Sequence, residues 1–322
     1  MGSRTWSLAG FAIALFVAGC ENTFTPKGPY KDRLVVYAIL STQTDTQYVR
    51  LYTSYNPPGF DPLVNTVDNV VRGAEVTVFQ DTATTDYHDT LVTRFDKTRY
   101  KDDIAAYMAF PFRAQPGESY DLTINSQTYG TVTASLTVPD RGRIQVVNKY
   151  VLKGQGDQNE DLTVFAWIRY ATRGFMVRYY LDYDVFQGGG WSNRRTEMPS
   201  GVVVGAQNST SYSYPSLQRR ATVPGSPVEE QSEPVYFSRK AFSLKLYDLN
   251  HQYLPDGIRI HGAWFVLTQV ERNLYNYYGI ANAFLDPHSI RMDMPNWTNV
   301  NGGYGVFGAM VEDSSYVDLQ TY

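Results

Sequence analysis

The chain has 322 residues, a formal net charge of −4 and a charged fraction of 19%, enough length for one large or two medium domains with well-buried cores. Acids and bases are interspersed and no basic stripe is present to neutralise phosphates, which argues against a nucleic-acid partner. Aromatic residues make up 15% of the chain, including 26 tyrosines, and such side chains suit the pleated, half-buried surface of a β-sheet.

Arg4 precedes an apolar run from Leu8 to Ala18, which closes on Val17-Ala18-Gly19-Cys20. That order reads as a secretory signal over residues 1–19 ending in a lipobox. Leu8 to Gly19 would be about 18 Å long as a helix, too short for a hydrocarbon core of about 30 Å. The Cys20 thiol would take a diacylglycerol before cleavage between Gly19 and Cys20, and the freed amine a further acyl chain such as palmitate. Cys20 is the sole cysteine, so no disulfide and no thiolate metal site can form within one chain. Two or three acyl chains hold firmly where one anchors marginally, at about 0.8 kcal/mol per buried methylene. The expected partner through Cys20 is therefore a membrane, with residues 20–32, rich in Pro and Gly, as the lipidated tether.

From Arg33 the apolar pattern has period two. Leu34 to Leu40 suits a strand covered on both faces, and Tyr48 to Tyr52 alternates, making a hairpin the simplest reading. The Ser54 to Arg72 loop follows, in which Tyr55 and Phe60 flank Pro57-Pro58-Gly59. Val76 and Val78, then Tyr120, Leu122 and Ile124, repeat the alternation, and Val132, Ala134, Leu136 and Val138 give its cleanest instance before Pro139 ends the strand. About seven short strands between turn residues predict an immunoglobulin- or transthyretin-like β-sandwich over 33–140.

Residues 141–322 read as a larger β-rich domain. Leu162 to Tyr170 and Phe175 to Phe186 are long strands, and 187–234 reads as a long loop rich in Gly, Ser, Pro and Asn, carrying Trp191, Tyr212 and Tyr214. Strand signals return at Val235 to Tyr247 and Ile258 to Leu267. Thr268-Gln269-Val270-Glu271 reads as a capping box, opening an amphipathic helix with Val270, Leu274, Tyr277, Tyr278, Ala281 and Leu285 on one stripe, stopped by Asp286-Pro287. It is the one helix expected in the mature chain, which is mainly β.

Chemical motifs are sparse, and neither catalytic residues nor a metal or cofactor site is expected. Gly303-Tyr304-Gly305-Val306-Phe307-Gly308 fits G-x-G-x-x-G, yet too few residues follow for a dinucleotide-binding unit. Its glycines read instead as places where another backbone or a ring approaches closely. His88, His251, His261 and His288 show no zinc spacing, and no nucleophile elbow occurs. Asp182 and Asp184 share one strand face about 7 Å apart, a spacing open to a solvated surface, a calcium ion or a glycosidase pair. Exposed loop aromatics bury much area at little entropic cost, which makes Tyr55, Phe60, Trp191, Tyr212 and Tyr214 the candidate partner-contact residues.

The lipobox, Leu34-Val-Val-Tyr-Ala-Ile-Leu40, Val71-Arg-Gly-Ala-Glu-Val-Thr-Val78, Pro116-Gly-Glu-Ser-Tyr120, Thr137-Val-Pro139, the helix around Tyr275 to Tyr278 and Asn299 to Ala309 together resemble the Bacteroidota outer-membrane lipoproteins catalogued as domain of unknown function 4249. The resemblance spans nearly the whole chain. It implies a non-enzymatic lipoprotein on the outer membrane, facing the periplasm or the cell surface, acting as a binding or accessory component beside a TonB-dependent receptor in nutrient uptake. It implies no catalytic residues. The alternative is a surface glycan-binding protein or glycan hydrolase using Asp182 and Asp184.

Overall fold

The computed structural model describes residues 30–56, 66–169, 171–205, 209–220, 230–282 and 297–319. The expected signal segment over residues 1–19, Cys20 and Phe60 lie outside them.

The first unit is a β-sandwich built from seven consecutive strands: β1 (Leu34–Ser41), β2 (Gln47–Thr53), β3 (Glu75–Gln80), β4 (Ala83–Val92), β5 (Ile104–Ala109), β6 (Ser119–Ser126) and β7 (Gly130–Thr137). One layer runs β1-β2-β5-β4 and the other β4-β3-β6-β7. β4 serves both, pairing with β3 through Tyr87 and with β5 from His88 onward. The period-two residues Val76, Val78, Leu122, Ile124, Val132, Ala134 and Leu136 are buried between the layers, as alternation demands when one face meets a core and the other meets water.

The sandwich is not confined to residues 33–140. Its core also takes in Val300, Phe307, Ala309 and Val311, which return from the far end of the chain. The last strand, here β17 (Tyr304–Asp318), lies parallel to β1 from Val35↔Tyr304 to Ser41↔Met310.

Residues 141–237 add β8 (Arg143–Val146), β9 (Leu162–Arg169), β10 (Gly174–Gln187), β11 (Gly190–Glu197), β12 (Gly201–Val204), β13 (Thr210–Ser213), β14 (Gln218–Arg219) and β15 (Glu230–Phe237). Helix α1 (Arg239–Gln252), β16 (Ile258–Val270) and helix α2 (Arg272–Asn282) precede β17. β11-β10-β16-β17 continues directly into β1-β2, so a single sheet runs through both units. A smaller sheet, β15-β9-β8, packs on its inner face. Tyr179 stacks on Phe265 at 5.2 Å and meets Phe237 edge-on at 4.7 Å, at the centre of a second core that also holds Ile168, Leu181, Val185 and Leu267.

Three expectations are corrected here. The segment 187–234 is not a long loop, since its described residues contain β11 to β14 and the start of β15. Their polar composition reflects edge and surface positions rather than lack of pairing. Residues 239–252 form a helix, not a strand, and Ser238 caps it by accepting the Ala241 N–H. Thr268 belongs to β16, and the N-cap of α2 is Glu271 itself, whose carboxylate accepts the Asn273 and Leu274 N–H groups.

Candidate functional site

Side chains alternate across a strand, so the inward set Val177, Tyr179, Leu181, Tyr183 and Val185 of β10 leaves Arg178, Tyr180, Asp182, Asp184 and Phe186 on the outer face. Register extends that face across four strands. Asp182 stands opposite Arg195, and Phe186 opposite Trp191. Tyr180 stands opposite Trp264, and Trp264 opposite Tyr316, with Thr268 opposite Glu312. The outer face thus carries an aromatic and charged lattice assembled from segments more than a hundred residues apart in sequence.

Its groups are tightly matched. The Arg195 guanidinium donates to both Asp182 oxygens, at 2.6 and 3.1 Å, and lies over the Trp264 ring at 5.5 Å. The Trp264 indole N–H donates to Asp182 at 2.8 Å, and its ring meets Tyr316 at 4.9 Å. Asp182 holds Arg195 even more firmly protonated than usual. Asp184 accepts from Asn193 at 3.2 Å and pairs with His261 at 2.9 Å, and His261 holds its carboxyl below the usual range. Thr268 Oγ1 donates to Glu312 at 2.9 Å. Gly262 is required by this face, because a Cβ there would collide with the Tyr316 hydroxyl.

Two adjoining clefts open where β17 outruns β1. One, of about 240 Å³, is lined by Gln43, Arg195, Trp264, Val266, Glu312, Asp313 and Ser314. The other, of about 410 Å³, shares Gln43, Glu312, Asp313 and Ser314 and adds Arg141, Gly142, Arg143, Ile144 and Ser315. Asp313 is fixed between the Gly142 N–H at 2.8 Å and Arg141 at 3.3 Å. The lining therefore offers indole surface, guanidinium, carboxylate and hydroxyl groups within one groove, a composition suited to recognising a polar partner.

The candidate partner-contact residues do not form one site. Trp191 joins the outer lattice, under the Arg259 guanidinium at 3.7 Å and beside Phe186. Tyr212 and Tyr214 lie on the opposite side, where Tyr212 donates to Asp248 of α1 and sits beneath Lys245. Burial and Asp248 push the Tyr212 hydroxyl up to about 12. Tyr55 is half-buried after β2. Trp264, Tyr316 and Arg195 are the residues sequence reading passed over. Trp264 and Tyr316 look like ordinary strand residues, and only the pairing of β16 with β10 and β17 brings them together.

The Asp182 and Asp184 carboxylates are both committed to neighbours, with side chains 13% and 24% exposed, so the face holds them in ion pairs rather than leaving them solvated. No group of three or more metal-ligating side chains occurs among the described residues. Among the same residues no helix is long and apolar enough to cross a membrane. The G-x-G-x-x-G glycines serve packing. A Cβ at Gly305, whose φ is +106°, would strike the Val36 carbonyl oxygen, and one at Gly308 would meet Leu274 at 2.8 Å.

No curated protein matches the chain. The C-terminal globular domain of an oligosaccharyltransferase from Pyrococcus abyssi aligns at 10% identity and a TM-score of 0.23, over 74% of this chain and 48% of that one. The chain spans about half the length of that structure, and a likeness this slight carries no argument. The family described as domain of unknown function (DUF4249) matches residues 21–315, nearly the whole chain, and the protein belongs to that family.

Proposed function

We propose that the chain is a non-enzymatic lipoprotein of the outer membrane, anchored through Cys20, that recognises a partner by the outer face of its continuous sheet and serves a TonB-dependent receptor in nutrient uptake. The observation that carries the recognition role is the lattice of Trp264, Tyr316, Arg195 and Asp182 beside the two clefts. Its hydrogen bonds hold aromatic and charged groups in fixed positions on an exposed surface, where Trp191 and Tyr316 remain 37% and 42% accessible. Preorganised aromatic and arginine side chains lose little entropy on binding and supply most of the energy at recognition surfaces. The lipobox supports the anchor, and the family resemblance supports the receptor.

The test is co-purification of the native lipoprotein from detergent-solubilised membranes, with and without Trp264→Ala. The expected result is stoichiometric recovery of a β-barrel receptor by the parent and loss of most of it by the variant. Equal recovery by both, or recovery of the lipoprotein alone, would contradict the reading. Incorporation of labelled palmitate that disappears in Cys20→Ala checks the anchor. A glycan-binding role is the second reading, favoured by the Trp264 and Tyr316 rings beside polar cleft walls, and glycan-array binding lost in the same Trp264 variant would support it.

A further inference from the structure

We infer that the free edge of β17 beyond β1 accepts an extended polypeptide by strand addition, which rests on the recognition role above and names the kind of partner it takes. β1 pairs with β17 only as far as Ser41↔Met310, whereas β16 pairs with it as far as Asp318. The Leu319 N–H donates to the His261 carbonyl, and the Glu271 N–H donates to the Ala309 carbonyl. These bonds, at the same register, fix the odd-numbered residues of β17 as those that face β16. Glu312, Ser314 and Tyr316 consequently direct their N–H and C=O groups to the opposite edge. Gln43 Nε2 donates to the Glu312 carbonyl, in the place a strand would occupy. Ser314 and Tyr316 are exposed, and no strand among the described residues pairs with that side.

Main-chain donors and acceptors repeating every two residues, about 6.7 Å apart, are matched by the backbone of another extended chain. The clefts supply walls for its side chains on both faces. Trp264, Val266 and Tyr316 border one face. Arg141 and Arg143 border the other, with side chains 59% and 60% exposed and their partner carboxylates at 3.3 and 3.6 Å. The complementary segment alternates aromatic or aliphatic residues with acidic ones. The outermost strand β11 is a poorer acceptor, because it carries the exposed charge of Arg194, as edge strands commonly do.

The test uses the purified full-length lipoprotein and a displayed library of random extended peptides, followed by amide exchange with the selected peptide. The expected peptides alternate acidic and apolar residues and slow exchange at the Ser314 and Tyr316 amides. Methylating alternate peptide nitrogens should weaken binding about tenfold in one phase and leave it unchanged in the other, the scale of one or two lost hydrogen bonds. Ser314→Pro removes an outward N–H and no bond to β16, and should weaken binding by a similar factor with the melting curve unchanged. Should that variant fold poorly, the methylated peptides carry the test on the parent protein. Failure to select any such peptide, unprotected Ser314 and Tyr316 amides, or indifference to the phase of methylation would overturn strand addition. Receptor recovery that persists beside that failure would leave the recognition role standing, and loss of both would refute both.

Discussion

Glu271 sits where β16 turns into α2, 4% exposed, and two opposing effects act on its carboxyl. Burial raises it, while the N–H groups of Asn273, Leu274 and Ala309 lower it, and burial dominates, taking it from 4.5 to about 7. Between those values the folded chain holds a proton that the unfolded chain has released. The stability this group contributes is complete below about pH 4.5 and is lost as pH rises through 7, on the order of 3 kcal/mol in all. Glu271→Gln keeps an acceptor for the helix N-terminus and never ionises. Thermal melts of that variant should lose the parent's decline between pH 5 and 7.5 and should exceed the parent at pH 8; parallel curves for the two would show that burial is not the controlling effect. The residue is legible as a helix-start signal, but its spacing from Thr268 places the cap three positions before where Glu271 supplies it. Thr268 and Glu271 satisfy the letters of a capping box, and only the length of β16 reveals that the strand continues to Val270.

At the scale of elements, α1 shows why pattern reading fails where two periods coincide. Phe242, Leu244 and Leu246 alternate with Ser243 and Lys245 as a strand would, while Ala241, Phe242, Leu246 and Leu249 make a helical stripe. Tertiary packing decides for the helix, with Phe242 and Leu249 buried in the second core. Arg239 in its first turn is 5% exposed and donates to the carbonyls of Gly154, Gln155 and Asp157 at 2.7 to 2.8 Å, tying the helix to the loop after the 3₁₀ turn at Lys149–Lys153. Hydrogen bonds from a charged group are worth about 1.5 to 3 kcal/mol, and leaving their buried acceptors unmet costs more. Arg239→Met should lower stability by about 2 kcal/mol or more in urea unfolding, and a loss under 0.5 kcal/mol would contradict the pinning role. The strands of the sandwich were far easier to read than α1, because each of Val132, Ala134, Leu136 and Val138 alternates with a polar neighbour and no helical stripe competes.

The whole molecule is joined by β17, which lies between β1 and β16 and gives Phe307, Ala309 and Val311 to the first core and Val317 to the second. No local pattern announces such a pairing between residue 35 and residue 304, and the same long-range registers assemble the Trp264 lattice, so the site was less legible than the strands that carry it. A fragment of residues 30–140 therefore lacks part of its own core. It should show no cooperative thermal transition, and a sharp transition at the temperature of the intact chain would contradict the shared core. β1 runs from the end near Tyr30 and Asp32 toward Gln43 and the clefts. At about 3.3 Å per residue its eight residues span about 26 Å between Leu34 and the clefts, and β17 extends beyond it. The most direct measurement of the central claim is crosslinking mass spectrometry on the native protein with the partner it recovers. The account predicts crosslinks concentrated on residues 191–197, 259–268 and 312–318, whereas crosslinks confined to the Tyr212, Tyr214 and α1 side would contradict it.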